Sequence, residues 1–303
     1  MRIVVTGREG QVARSLVERG ARAGHDVITL ARPEFDLTAD PEAIVGAIEA
    51  HRPDAVVSAA AYTAVDRAES EPELAFAVNE RGARAVARAA GRIGAALVHL
   101  STDYVFDGSK DSPYVESDPT RPLGVYGASK LAGEHAVLAE NANSAILRTA
   151  WVYSPFGTNF VKTMLRLAAD RDEVRVVADQ RGNPTSALEI ADGVIAVATN
   201  LVRGSNAEQR GIFHMTAAVE ASWAEFAAAI FALSAEMGGP SATVTAITTA
   251  DYPTAARRPT NSRLDSTLLE RRHGVRLPDW RNSLPDVVSR LLNGSEETGY
   301  FSA

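Results

Sequence analysis

Residues 2–13 read RIVVTGREGQVA, and the fold of this 303-residue chain is decided by how that stretch divides. Residues 2–6 are a short run rich in β-branched side chains that breaks at Gly7. A helical pattern follows through Val12, Leu16, Val17 and Ala21 and ends near Gly24. Gly7, Gly10 and Ala13 therefore fall at G-x-x-G-x-x-A spacing, between a strand and the helix it feeds. Gly7 permits a tight turn, Gly10 lets the backbone approach a pyrophosphate, and the small Ala13 allows close helix packing. The helix start adds free N–H groups and the positive end of its dipole, which suit an anion. The pattern is weak in isolation and strong in the first strand–helix unit of a longer alternation.

The rest of the first half supplies that alternation. VITL at 27–30 is a second strand, residues 41–51 a helix, AVVSA at 55–59 a strand and residues 73–91 an alanine-rich helix. ALVHLS at 96–101, a helix around Tyr126 and SAILRT at 144–149 complete it. Strands alternating with helices of this length imply βαβ units, and right-handed crossovers make the result an α/β fold, a doubly wound parallel sheet of Rossmann type. Beyond residue 150 the rhythm loosens, with helices expected near 159–170, 187–201 and 222–237 and strands near 174–178, 211–215 and 243–248. The expected division is a dinucleotide-binding domain over 1–150, to which later segments return, and a smaller, partly interleaved α/β substrate domain over 151–303.

Bulk composition removes several functional classes. Thirty-one Lys and Arg against 38 Asp and Glu leave a net charge of −7, which argues against nucleic acid as the main partner. With no cysteine, disulfides, thiolate metal sites and cysteine nucleophiles are excluded. No apolar run approaches the roughly 20 residues of a membrane span, and the start reads as a strand rather than a signal segment. A soluble cytoplasmic protein is expected. RRPTNSRL at 257–264, with Arg257, Arg258 and Arg263, is the best local basic cluster for a phosphorylated small molecule.

Two further stretches carry chemistry. An acidic residue commonly ends the second strand of an NAD-binding unit. Here TLARPEFDL at 29–37 places Arg32 there, which suits a 2′-phosphate and favours NADPH. Asp36 can still accept from ribose or adenine, so NADH remains a second choice. In VYGASKLAGEHAV at 125–137, Tyr126 and Lys130 stand four apart and share a helix face. A neighbouring ammonium lowers a tyrosine pKa from about 10, making a phenol that exchanges protons with a sugar or alcohol oxygen. STDYVFDG at 101–108 puts Thr102 and Asp103 at the carboxyl end of a strand, where open α/β sheets bind ligands.

Together TGREGQVA, AAAYTAVDRAESEPELA, STDYVF, YGASKLAGE, RTAWVYSPFGTNFVKTML and RPTNSRL resemble the extended short-chain dehydrogenase/reductase family, most closely its dTDP-4-dehydrorhamnose reductases. The similarity runs through nearly the whole chain. It implies Thr102, Tyr126 and Lys130 as the catalytic trio. Tyr126 would donate a proton to the sugar C4 oxygen, Lys130 would hold the nicotinamide ribose, and Thr102 would bond the reacting oxygen. Gly10, Gln11 and Val12 would line the pyrophosphate, Asp36 and Leu37 the adenosine, and Ala61, Tyr62 and Thr63 the inner edge of the cofactor. Asp103, Trp151, Asn159 and Arg258 would contact the dTDP-sugar substrate.

The chain departs from the family pattern at Ser58, where Asn is frequent, and at Tyr62, where His is frequent. Tyr104 stands where a related 4,6-dehydratase carries its acidic Glu, which argues against dehydration. The alternatives are a reductase making another dTDP-6-deoxyhexose and a non-catalytic NADP-binding regulatory subunit. Neither a metal site nor a membrane partner is expected. A monomer or homodimer is expected, with a 3,5-epimerase as the upstream pathway neighbour.

Overall fold

The computed structural model describes residues 1–204 and 206–298 of the chain. The first half alternates as β1 (Arg2–Thr6), α1 (Gln11–Arg22), β2 (Asp26–Leu30), α2 (Pro41–Glu49) and β3 (Ala55–Ser58). The short α3 (Val65–Ala68) precedes α4 (Pro72–Phe76), a π-helical turn over Ala77–Gly82 and α5 (Ala83–Arg92), where one uninterrupted helix was expected over 73–91. Then come β4 (Ala96–Thr102), α6 (Val125–Glu140) and β5 (Ser144–Thr149).

These strands form a parallel sheet in the order β2-β1-β3-β4-β5, and a sixth strand from much later in the chain extends it beyond β5. Successive side chains in a strand point to opposite faces. Ile3, Val5, Val57, Val98 and Leu147 accordingly pack with Leu16 of α1 on one side. Val4, Val56, Leu97 and Ile146 pack with Ile44, Val45 and Val86 of α2 and α5 on the other. A sheet covered on both faces needs near-continuous apolar strands, which is why β3 and β4 are buried along their whole length. The chain passes from β1 to β2 on one side and then crosses back to β3 on the other side of β1, so a crevice opens there at the carboxyl ends of the strands.

The second half interleaves with the first. After β6 (Val152–Tyr153), α7 (Phe160–Asp170) and β7 (Glu173–Val177) come the two-residue strands β8 (Arg181–Gly182) and β9 (Thr185–Ser186). Next, α8 (Ala187–Arg203) covers the face that α1 covers, and β10 (Gly211–His214) joins the main sheet beside β5. β11 (Ala221–Ser222), α9 (Trp223–Glu236), β12 (Thr243–Ile247), α10 (Thr267–His273) and α11 (Trp280–Thr298) follow. The smaller lobe has its own core, in which Val161, Leu165, Phe226, Ile230, Leu284 and Val288 bring α7, α9 and α11 together over the parallel β7–β12 pair. The sequence pattern missed α11, whose interior Pro285 reads as a helix breaker.

Candidate active site

A cleft of about 1130 Å³ runs along the carboxyl ends of β1–β5 and reaches the first residues of the smaller lobe. At its nucleotide end Gly7 has φ +97°, a conformation that side chains other than glycine rarely adopt. Gly10 is different. Its φ is −65°, and an added Cβ would meet nothing within 4 Å, so neither backbone strain nor protein packing requires glycine there. The space it leaves open lies before the first turn of α1, which has no side-chain cap and no acidic residue. Those free N–H groups form a cradle of the kind a pyrophosphate occupies.

The Gln11 side chain is otherwise engaged: its Nε2 donates to the Val152 carbonyl at 3.3 Å and its Oε1 accepts from Ser154 Oγ at 2.9 Å. Val12, Leu37, Ala61, Tyr62 and Thr63 line the cleft, as do Arg32 and Asp36. Arg32 is exposed. Asp36 accepts from Thr38 N and Oγ1, both at 2.8 Å, and these bonds with the nearby Arg32 charge hold its carboxyl below the usual range. The loop bearing Tyr62 is fixed by buried Asn79 of the π-helical turn, whose amide accepts from Tyr62 N at 2.8 Å and donates to Tyr62 O at 3.1 Å and to Ser129 Oγ at 2.9 Å. That interlock ties the cofactor-side loop to α6.

Thr102, Tyr126 and Lys130 converge at the middle of the cleft. Thr102 ends β4, donates to Asp103 Oδ1 at 3.0 Å and accepts from Tyr104 N at 3.2 Å. Tyr126 stands in the first turn of α6 with Tyr104 edge-on to its ring, centroids 5.5 Å apart. Lys130 is buried and its Nζ donates to the Leu100 carbonyl at 2.7 Å.

The electrostatics correct one expectation. The Tyr126 phenol is not lowered; burial pushes it up to about 12, against a smaller opposite pull from the Thr102 hydroxyl, and the Asp103 charge adds to the rise. Burial pushes Lys130 the other way, to about 8, while Glu134 raises it. The phenol is thus held in its proton-bearing form at neutral pH. Burial also raises Asp103 to about 6, and its Oδ2 has no hydrogen-bond partner.

Trp151 lines the cleft next to the smaller lobe in a left-handed backbone conformation, φ +49°. Its indole stacks on Trp223 with centroids 3.5 Å apart and planes 6° from parallel. Gly182 lies so close that an added Cβ would stand 2.4 Å from the Trp151 ring. Trp223, Gly182 and Thr149 escaped the sequence reading. Thr149, at the end of β5 in register with Thr102, presents a buried hydroxyl without a partner on the same cleft.

Two expected substrate residues are not among those lining the cleft. The Asn159 amide is consumed as a helix cap, accepting from Lys162 N at 3.2 Å and donating to the Ser154 and Phe156 carbonyls at 2.8 and 3.2 Å. Arg258 forms a two-pronged ion pair with Asp66, at 2.7 and 3.3 Å. Nor does the 257–264 stretch gather free cations, since Arg263 binds Glu220 at 2.9 Å. Among the described residues no group of three or more His, Asp or Glu is placed to hold a metal ion, and no described helix is long and apolar enough to cross a membrane.

Residues 1–293 match the family described as RmlD substrate binding domain. The chain belongs to that family. Among its relatives is a dTDP-4-dehydrorhamnose reductase of Sinorhizobium fredii, 52% identical over 292 residues, covering 96% of this chain and 98% of the relative. The crystal structure of a dTDP-4-dehydrorhamnose reductase from Clostridium acetobutylicum superposes with a TM-score of 0.89 at 37% identity, covering 96% of this chain and all of that one. A Bacillus anthracis dTDP-4-dehydrorhamnose reductase solved in complex with NADP gives 0.86 at 34% identity over 94% of this chain and 98% of the other. The family's fold extends through both lobes, so the cleft and both of its walls lie within the matched region.

Proposed function

We propose that this chain uses NADPH to reduce the C4 ketone of dTDP-4-dehydro-6-deoxy-L-mannose (dTDP-4-dehydro-L-rhamnose), giving dTDP-L-rhamnose. The observation that carries the reading is the meeting of Thr102, Tyr126 and Lys130 in one cleft with the glycine cradle at Gly10, in a chain of this family. NADPH supplies a hydride, that is, two electrons and one hydrogen for the ketone carbon. The chain supplies the proton and the geometry.

Gly7, Gly10 and the first turn of α1 would hold the pyrophosphate of NADPH, together with Gln11 and Val12. Arg32 would bind the 2′-phosphate, Asp36 and Leu37 the adenosine, and Ala61, Tyr62 and Thr63 the inner edge. Thr102 hydrogen-bonds the C4 oxygen and stabilises charge as it develops there. Tyr126 donates its phenolic proton to that oxygen. An alkoxide is a stronger base than a phenolate, so the transfer is downhill even from a phenol near 12. Lys130, fixed on the Leu100 carbonyl, presents its remaining donors to the ribose and to the phenolate that is left. Asp103 and Trp151 hold the sugar nucleotide. The reading extends to a cytoplasmic monomer or homodimer supplied with its ketosugar by a 3,5-epimerase.

The test is a coupled assay in which the ketosugar is generated in situ and nicotinamide absorbance is followed, with the sugar identified by NMR. NADPH oxidation with formation of dTDP-L-rhamnose is expected. Oxidation to a different deoxysugar would change the substrate assignment, and NADPH binding without turnover would favour the regulatory-subunit alternative.

A further inference from the structure

Beneath the catalytic helix lies a buried ion pair to which the proposed reaction assigns no task. Glu134 and Arg148 are 0% and 2% exposed at their side chains. Arg148 Nη2 donates to Glu134 Oε2 at 2.6 Å and its Nε to Oε1 at 2.9 Å. Ser101, the residue before Thr102, donates to Oε1 at 2.5 Å. Glu134 follows Lys130 by one helical turn and Tyr126 by two, so three residues on one face of α6 meet the ends of β4 and β5. From that face Lys130 donates to the Leu100 carbonyl, and Glu134 accepts from Ser101 and Arg148.

Stability is a poor reason for such a pair. Removing two charges from water costs several kcal/mol per ion, and apolar replacements of similar volume are often neutral or better. Here the arrangement also leaves Arg148 Nη1 buried without a partner. The cost points to a task. We propose that Glu134 is a positioning residue for the reduction: clamped by Ser101 and Arg148, its carboxylate docks α6 on the ends of β4 and β5 and so sets the seat of Lys130 against β4. The inference rests on the reductase reading above.

The charged neighbourhood supports it. Burial drives Lys130 down to about 8, and Glu134 is the opposing charge. His99 of β4 is buried beside Lys130 and held neutral by that burial and by the ammonium. Asp103 and Tyr104, in the turn after β4, act on the Tyr126 end of the helix. Glu69 accepts from Val125 N at 2.9 Å at the helix start, and Arg84 and Arg88 pair with Glu140 at its far end. Glu134 is therefore the anion that acts on Lys130 from its own helix, and the same carboxylate ties that helix to Ser101 of β4 and Arg148 of β5.

The measurement is the pH profile of kcat for the parent, Glu134→Gln and the double variant Glu134→Gln/Arg148→Met. Glutamine keeps the volume and an acceptor for Ser101 but removes the charge. The alkaline limb of Glu134→Gln is expected to move acidward by about one pH unit, with the Kd for NADPH within about twofold of the parent. The double variant removes the stranded cation and restores Tm, and its limb is expected to stay displaced. A limb at the parental position in either variant, with only Tm changed, would make the pair structural and overturn the proposal. So would a double variant whose limb returns to the parental pH, because the shift would then belong to unpaired Arg148. Should the single variant not fold, the double variant decides alone. A parent that binds NADPH but reduces no ketosugar would instead sink the reductase reading, which separates the two failures.

Discussion

The Asp103 charge acts on Tyr126, and burial raises the pKa of both, with opposite consequences. A phenol near 12 keeps its proton at every physiological pH, which is the form a reductase needs. Tyr126→Phe removes that proton and little else, because the ring keeps its edge contact with Tyr104. Its kcat is expected to fall about 10²–10⁴-fold while NADPH binding, measured by fluorescence, stays near the parental value. For Asp103 the folded pKa of about 6 lies above the ordinary 3.8, so the folded state holds its proton more tightly than the unfolded one. Stability therefore falls as pH rises from about 4 to about 6 and then stays low. Asp103→Asn keeps an acceptor for Thr102 and removes the buried charge. It is expected to be more stable than the parent above pH 6, by on the order of 3 kcal/mol, and to lose that advantage below about pH 4. Parallel thermal melts across pH 4–8 check this, and a constant difference between the two proteins would refute it.

Helices and strands carry these residues with unequal legibility. The glycine turn, the Tyr126 helix and the carboxyl end of β4 were readable because each is local: strand, turn and helix signals fall within a few residues. The platform under Trp151 was not. Trp223 lies at the start of α9, held there by the Ser222–Glu225 capping box, and Gly182 lies in a two-residue strand paired with β11. Neither position has a periodic signal, and their meeting with Trp151 depends on tertiary packing alone. Asn159 carries two signals at once, since an Asn followed by a helical run is also the signature of an N-cap, and capping is what its amide does here. The platform makes its own prediction. In Gly182→Ala the new methyl collides with an indole already backed by Trp223, so Trp151 must move. The KM for the sugar nucleotide is expected to rise about tenfold, roughly 1.4 kcal/mol of lost binding, with the NADPH Kd unchanged. Equal weakening of both ligands in calorimetry would show that the change is not confined to the sugar end.

The whole molecule is built on a six-stranded sheet whose last strand arrives late. Residues 1–150 contain the glycine cradle, Thr102, Tyr126 and Lys130, yet β5 lacks its outer neighbour until residues 211–214 return to it, and α1 lacks its packing partner α8 until 187–203. A fragment ending at 150 is accordingly expected to aggregate rather than fold into a soluble NADPH-binding unit, as light scattering and hydrogen exchange on the fragment would report. The same topology acts on the chain as it is made. At ~5–20 residues per second, several seconds separate synthesis of β5 from that of β10. Throughout that interval the unpaired outer edge of β5 stands open to any other nascent chain. What is an unremarkable sixth strand in the finished protein is, on the ribosome, the step that covers the open edge of β5.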